Sequence, residues 1–91
     1  MRYFRSVGFA RAYRGLDPAR QSRVDEALLK LEDLFEKGER PFGLGLKSLR
    51  HSLWEIRAGL ADRIIFKRQG GTLELLIVGS HDEIKRFLKR L

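Results

Sequence analysis

Four charged side chains stand at alternate positions within two neighbouring apolar runs: Glu55 and Arg57 in LWEIRA, Arg63 and Lys67 in RIIFKR. Successive side chains of a strand point to opposite faces. The spacing therefore predicts Glu55, Arg57, Arg63, Ile65 and Lys67 on one face and Trp54, Ile56, Ile64 and Phe66 on the other. A guanidinium fork matches the oxygens of a phosphate, so Arg57 and Arg63 on adjacent strands could hold one phosphate between them. Glu55 or His51 could take a proton. His81, at the end of the next apolar run, could give one, because imidazole titrates near neutrality. Lys47, Arg50 and Lys67 would add attraction for a nucleic-acid backbone.

Each of these residues has a plainer alternative. Glu55 and Arg57 could be ion-pair partners of Arg63 and Lys67 across the strands. His81 could serve only to help Asp82 cap a helix, His51 could be an exposed loop residue, and Lys47 and Arg50 could be solvated charges. Trp54 reads as core. The two histidines have no closely spaced carboxylate motif between them, so no metal site is expected, and no cofactor.

The elements that would position these groups follow from periodicity and punctuation. RYFRSV (2–7) reads as a first strand, because aromatic and β-branched residues suit a pleated surface. Phe9, Tyr13 and Leu16 lie at helical spacing and predict a short helix that Gly15 can end. Asp17-Pro18 is a helix start, with an acceptor for free N–H groups and a proline at the first turn. Val24, Ala27, Leu28, Leu31, Leu34 and Phe35 then form one apolar stripe. Gly38 is a natural stop and Pro41 prevents resumption. RPFGLGLKSLRHS (40–52) reads as a loop tacked down by Leu44, Leu46 and Leu49.

LWEIRA, RIIFKR and LELLIVG follow, joined by turns at GLAD and QGGT. Such tight connections predict an antiparallel meander. LELLIVG is apolar on both faces, as a central strand should be. SHDEIKRFLKRL predicts a last helix, with Ser80 or Asp82 as N-cap and a charge order that suits the helix dipole. The expected architecture is α+β: an antiparallel sheet of the N-terminal strand plus a three-strand meander, packed on an N-terminal helical pair, with a C-terminal helix.

Ninety-one residues make a single domain, 1–91, with a thin core and no room for a separate cofactor domain. Nineteen Lys and Arg against twelve Asp and Glu give a net charge of +7, which attracts polyanions. The absence of cysteine removes disulfides, thiol nucleophiles and Cys-type zinc sites, and fits a cytoplasmic location. No apolar run is long enough for a signal peptide or a membrane span, so no membrane partner is expected.

The pattern GLGLKSL…LWEIRAG…DRIIF…LELLIVGSHDEIKRFL resembles the RelE/ParE superfamily of small toxins, most closely the variant whose last strand runs into a His-Asp-Glu helix start. The resemblance covers nearly the whole chain, most strongly Gly43 to Leu88. It implies the toxin component of a type II toxin–antitoxin system. RelE-like members are mRNA interferases, cleaving messenger RNA on the ribosome without a metal. ParE-like members poison DNA gyrase instead, and some members have no established activity. An antitoxin partner is implied, wrapping over the sheet and helices, whereas oligomeric state is left open. On the RelE reading, Arg57 and Arg63 bind the phosphate, His81 is the acid, and Glu55 or His51 is the base. RNA-cleaving members often carry an aromatic near the C-terminus to orient a nucleotide. Both tyrosines here are N-terminal, which leaves Phe87 for that place.

Overall fold

The computed structural model describes residues 1–39 and 43–91. Three helices and five strands follow the order β1 (Arg2–Arg5), α1 (Val7–Arg14), α2 (Pro18–Lys37), β2 (Lys47–Ser48), β3 (Leu53–Ala58), β4 (Asp62–Gln69), β5 (Thr72–Gly79) and α3 (His81–Lys89). The α+β class is as expected. The strands form one sheet in the order β1-β5-β4-β3-β2.

Two details of the sheet differ from the sequence reading. The meander β3–β4–β5 is antiparallel, but β1 joins β5 in parallel, from Arg2↔Thr72 to Arg5↔Leu75, so the sheet is mixed. Helices α1 and α2 return the chain to the far edge. Within the segment read as loop, Lys47 and Ser48 pair with Glu55 and Trp54 and add a short edge strand. Pro41, expected to keep the long helix from resuming, lies outside the described residues.

The helix boundaries follow local chemistry. The Asp17 carboxylate accepts from the Arg20 backbone N–H and Pro18 opens α2. Gly38 closes it in the left-handed region at φ 73°, a backbone conformation that glycine adopts at no steric cost. The Ser6 hydroxyl caps α1 by accepting from the Phe9 N–H. Of the two candidates at α3, Ser80 is the cap. Its hydroxyl accepts from the Glu83 N–H, while the Glu83 carboxylate accepts from the Ser80 N–H.

Sheet alternation sorts the core into two layers. Ile56, Ala58, Ile64, Phe66, Leu73, Leu75 and Val78 face α1 and α2, where they bury against Phe9, Val24, Ala27 and Leu31. Burial of each large apolar side chain contributes about 1.5–3 kcal/mol. On the opposite face Leu53 and Ile65 meet Ile84, with Leu76, Ile77, Phe87 and Leu88 packed around them. Ile65 pairs with Ile77 but Phe66 with Leu75, which leaves Leu76 as an extra residue in β5. The bulge lets consecutive Leu76 and Ile77 both serve this second layer. α3 packs on β5 and β4 and its Ile84 also covers Leu53 of β3, so the exposed part of that face lies at Arg57 and β2.

Candidate functional site

The uncovered part of that face carries the charges. Arg57 and Arg63 are direct register partners on antiparallel β3 and β4, so they share one face. Arg57 is exposed and Arg63 half-buried. Glu55, half-buried, precedes Arg57 by two residues on the same face, and Lys47 is its register partner on β2. Gly79 is the partner of Arg63 on β5. The chain then passes through Ser80 to His81, the exposed first residue of α3. Arg57, Arg63 and His81 thus belong to one end of the sheet.

Like charges directly opposite one another on a sheet are destabilising. The ion pairs among the described residues are Arg20–Asp62, Lys30–Glu26 and Lys37–Asp33, and none involves Glu55, Arg57, Arg63 or Lys67. The cross-strand ion pairs considered as an alternative do not form among these residues. Such an arrangement carries a standing electrostatic cost that a bound anion would relieve.

Gly45 braces Arg57. A Cβ there would lie 2.8 Å from Arg57 Cγ and 2.9 Å from its Cδ, and the residue sits at φ 65°. The backbone of Arg57 is tied to the same loop, since its N–H donates to the Leu44 carbonyl at 2.8 Å. The glycines at 43 and 45, read from sequence only as breaks in regular structure, thus include one that makes room for a candidate ligand-binding side chain.

The remaining candidates lie elsewhere. His51 and Ser52 form the tip of the β2–β3 turn, both at positive φ (59° and 62°), and the Leu53 N–H donates to the Arg50 carbonyl across it. Lys67, partnered by Leu53 and Glu74, lines a cavity of about 390 Å³ with His51 and Leu91. Four residues of β3 separate this end from Arg57, about 13 Å at 3.3 Å per residue. His51, Arg50 and Lys67 therefore do not gather with the arginine row. Phe87 is half-buried against the second apolar layer.

Sequence reasoning passed over one pair of residues entirely. Asp62, the first residue of β4, is fully buried. The Arg20 guanidinium from the first turn of α2 donates to both its oxygens, Nε to Oδ2 at 2.9 Å and Nη2 to Oδ1 at 2.6 Å. This contact raises the Arg20 pKa above the ordinary guanidinium range. The charges of Asp62, Asp17 and Glu83 push the same way, while desolvation opposes them. The carboxyl of Glu83 is held below its usual pKa, first by the backbone N–H of Ser80, then by the Ser80 side chain, with Arg20 and Arg86 contributing. An Asp at a turn and an Arg on a helix face, 42 residues apart, gave no sequence signal of their meeting.

The architecture is that of the RelE-like toxins. A chain of the RelB–RelE antitoxin–toxin complex from Methanococcus jannaschii superposes with a TM-score of 0.70 at 17% identity, covering 92% of this chain and 96% of that one. A copper-bound mutant toxin from Helicobacter pylori gives 0.70 at 18% identity, covering 92% and 98%. The DinJ–YafQ complex of E. coli gives 0.67 at 16% identity, covering 92% and 98%. Identity at this level carries the fold. No family model matches the sequence, and no curated protein does. No helix among the described residues is long and apolar enough to cross a membrane.

Proposed function

We propose that this chain is the toxin of a type II toxin–antitoxin pair and cleaves messenger RNA on the ribosome by acid–base catalysis that needs no metal. The observation that carries the reading is the Arg57↔Arg63 row on an uncovered face, with no carboxylate paired to either arginine among the described residues. The fold adds support, because structures that share it are toxins solved with their antitoxins. A cytoplasmic antitoxin covering this basic chain is part of the proposal.

Cleavage needs a base for the 2′-OH, positive charge at the phosphate, and a proton for the leaving 5′-oxygen. Glu55 is the base, because it shares the face of Arg57 about 7 Å along the strand. Once its proton passes to Glu55, the 2′-oxygen attacks phosphorus. Arg57 and Arg63 neutralise the charge gathering on the phosphate oxygens. His81 in its protonated form gives its proton to the 5′-oxygen as the P–O bond breaks. The products are a 2′,3′-cyclic phosphate and a 5′-hydroxyl. Lys47, beside Glu55, draws in the backbone, while His51, Arg50 and Lys67 lie too far along the sheet for the same phosphate.

Regulated expression with mapping of transcript ends tests the reading. The wild type arrests growth and leaves cut transcripts, and His81→Ala with Arg63→Ala relieves both. Intact transcripts with DNA damage would instead make the chain a gyrase poison, and harmless expression would make it a binding module on the same scaffold.

A further inference from the structure

Arg57 and Arg63 stand opposite each other beside the turn that closes the β3–β4 hairpin, and their like charges repel across the ladder. The next register pair outward is Ala58↔Asp62, and on its other face Asp62 is gripped by Arg20 through two hydrogen bonds. Asp62 immediately precedes Arg63, and the Arg63 Nη1 donates back to the Asp62 carbonyl at 3.4 Å. Arg20 itself is fixed, since its backbone N–H donates to the cap of α2.

The charges of this pair are a poor source of stability, because desolvating the buried Asp62 beneath a partly exposed Arg20 offsets much of their attraction. What a bidentate pair supplies is a fixed geometry. We infer that Arg20 and Asp62 are positioning residues: one guanidinium, held beneath the Arg57–Arg63 row, keeps the start of β4, and with it Arg63, in the spacing that a single phosphodiester of single-stranded RNA requires. Neither residue touches the RNA. Asp62 is sealed from solvent, and Arg20 spends its fork on Asp62. The inference rests on the function proposed above, and it adds a second layer to that site on the opposite face of the sheet.

The test separates positioning from stability. In Arg20→Met/Asp62→Leu the pair is replaced by apolar side chains, an exchange that buried ion pairs often tolerate without loss of stability. Arg20→Ala, which leaves the Asp62 carboxylate buried and unpaired, is the destabilised control. Binding of a short 2′-O-methyl RNA, which cannot be cleaved, is read by fluorescence anisotropy across a salt series well below the melting temperature. Each phosphate contact on a single strand contributes about 0.7 to the slope of log affinity against log salt.

The folded Met/Leu variant binds about tenfold more weakly, with a slope smaller by about 0.7, equivalent to one lost contact. Its Arg63 side-chain N–H resonance no longer shifts when RNA is added. Wild-type affinity and slope in that variant would overturn the positioning role while leaving the proposed function standing. A wild-type chain that itself ignores the oligonucleotide would overturn the phosphate site at Arg57 and Arg63, and this inference with it.

Discussion

Arg57 and Arg63 face each other across the β3–β4 ladder, two like charges in direct register on one open face. Opposed like charges on a sheet lower stability by roughly 0.2–1 kcal/mol. Arg63→Glu turns the row into a cross-strand ion pair. It is expected to raise the melting temperature while abolishing RNA binding, and thermal melts beside binding titrations check both. A variant that loses stability along with binding would show that the row supports the fold.

Gly45→Ala has two consequences. A side chain at φ 65° costs about 1–2 kcal/mol, and the new Cβ displaces the Arg57 stem it would meet at 2.8 Å. Gly38→Ala is the matched control, because Gly38 also has positive φ but no atom within 4 Å of the added carbon. Both should melt earlier by similar amounts in calorimetry, and only Gly45→Ala should lose RNA affinity.

The faces of β3 and β4 were open to reading because charged and apolar residues alternate there with period two. Asp17-Pro18 and Gly38 marked the long helix for an equally local reason. The parallel β1–β5 pair was not, since its partners are 70 residues apart, as with Arg2 and Thr72, and only folding joins them. Lys47–Ser48 is too short to show any period. The bulge at Leu76 is invisible in a run that is apolar on both faces. The candidate site divides in the same way. Shared alternation placed Glu55, Arg57 and Arg63 together, whereas the location of His51 depended on a turn and the Arg20–Asp62 contact on tertiary packing.

The turn at His51 and Ser52 holds two non-glycine residues in the left-handed region, where each costs about 1–2 kcal/mol. Ser52→Gly should therefore raise the midpoint of urea unfolding by the equivalent of about 1 kcal/mol. Because His51 stands at the far end of β3 from Arg57, His51→Asn should leave transcript cleavage unchanged. Loss of cleavage in that variant would move the base from Glu55 to His51.

Stability in acid should report the α3 capping box. The pKa of Glu83 is lowered on folding, so its contribution is complete above the carboxylate's unfolded value, near 4.3, and disappears as pH falls through the lower folded value. The stability gap between wild type and Glu83→Gln should be constant from pH 6 to 8 and narrow below about pH 4.5. Ser80→Ala should cost about 1 kcal/mol at neutral pH. Chemical denaturation across pH measures both, and a gap that widens in acid would contradict the assignment.

The phosphate site itself is tested most directly by following arginine side-chain N–H resonances by NMR while a short 2′-O-methyl RNA is added. The resonances of Arg57 and Arg63 should move together and saturate at one RNA per chain, with Arg2, Arg5 and Arg14 unmoved. Shifts confined to those other arginines, with Arg57 and Arg63 unchanged, would contradict the account.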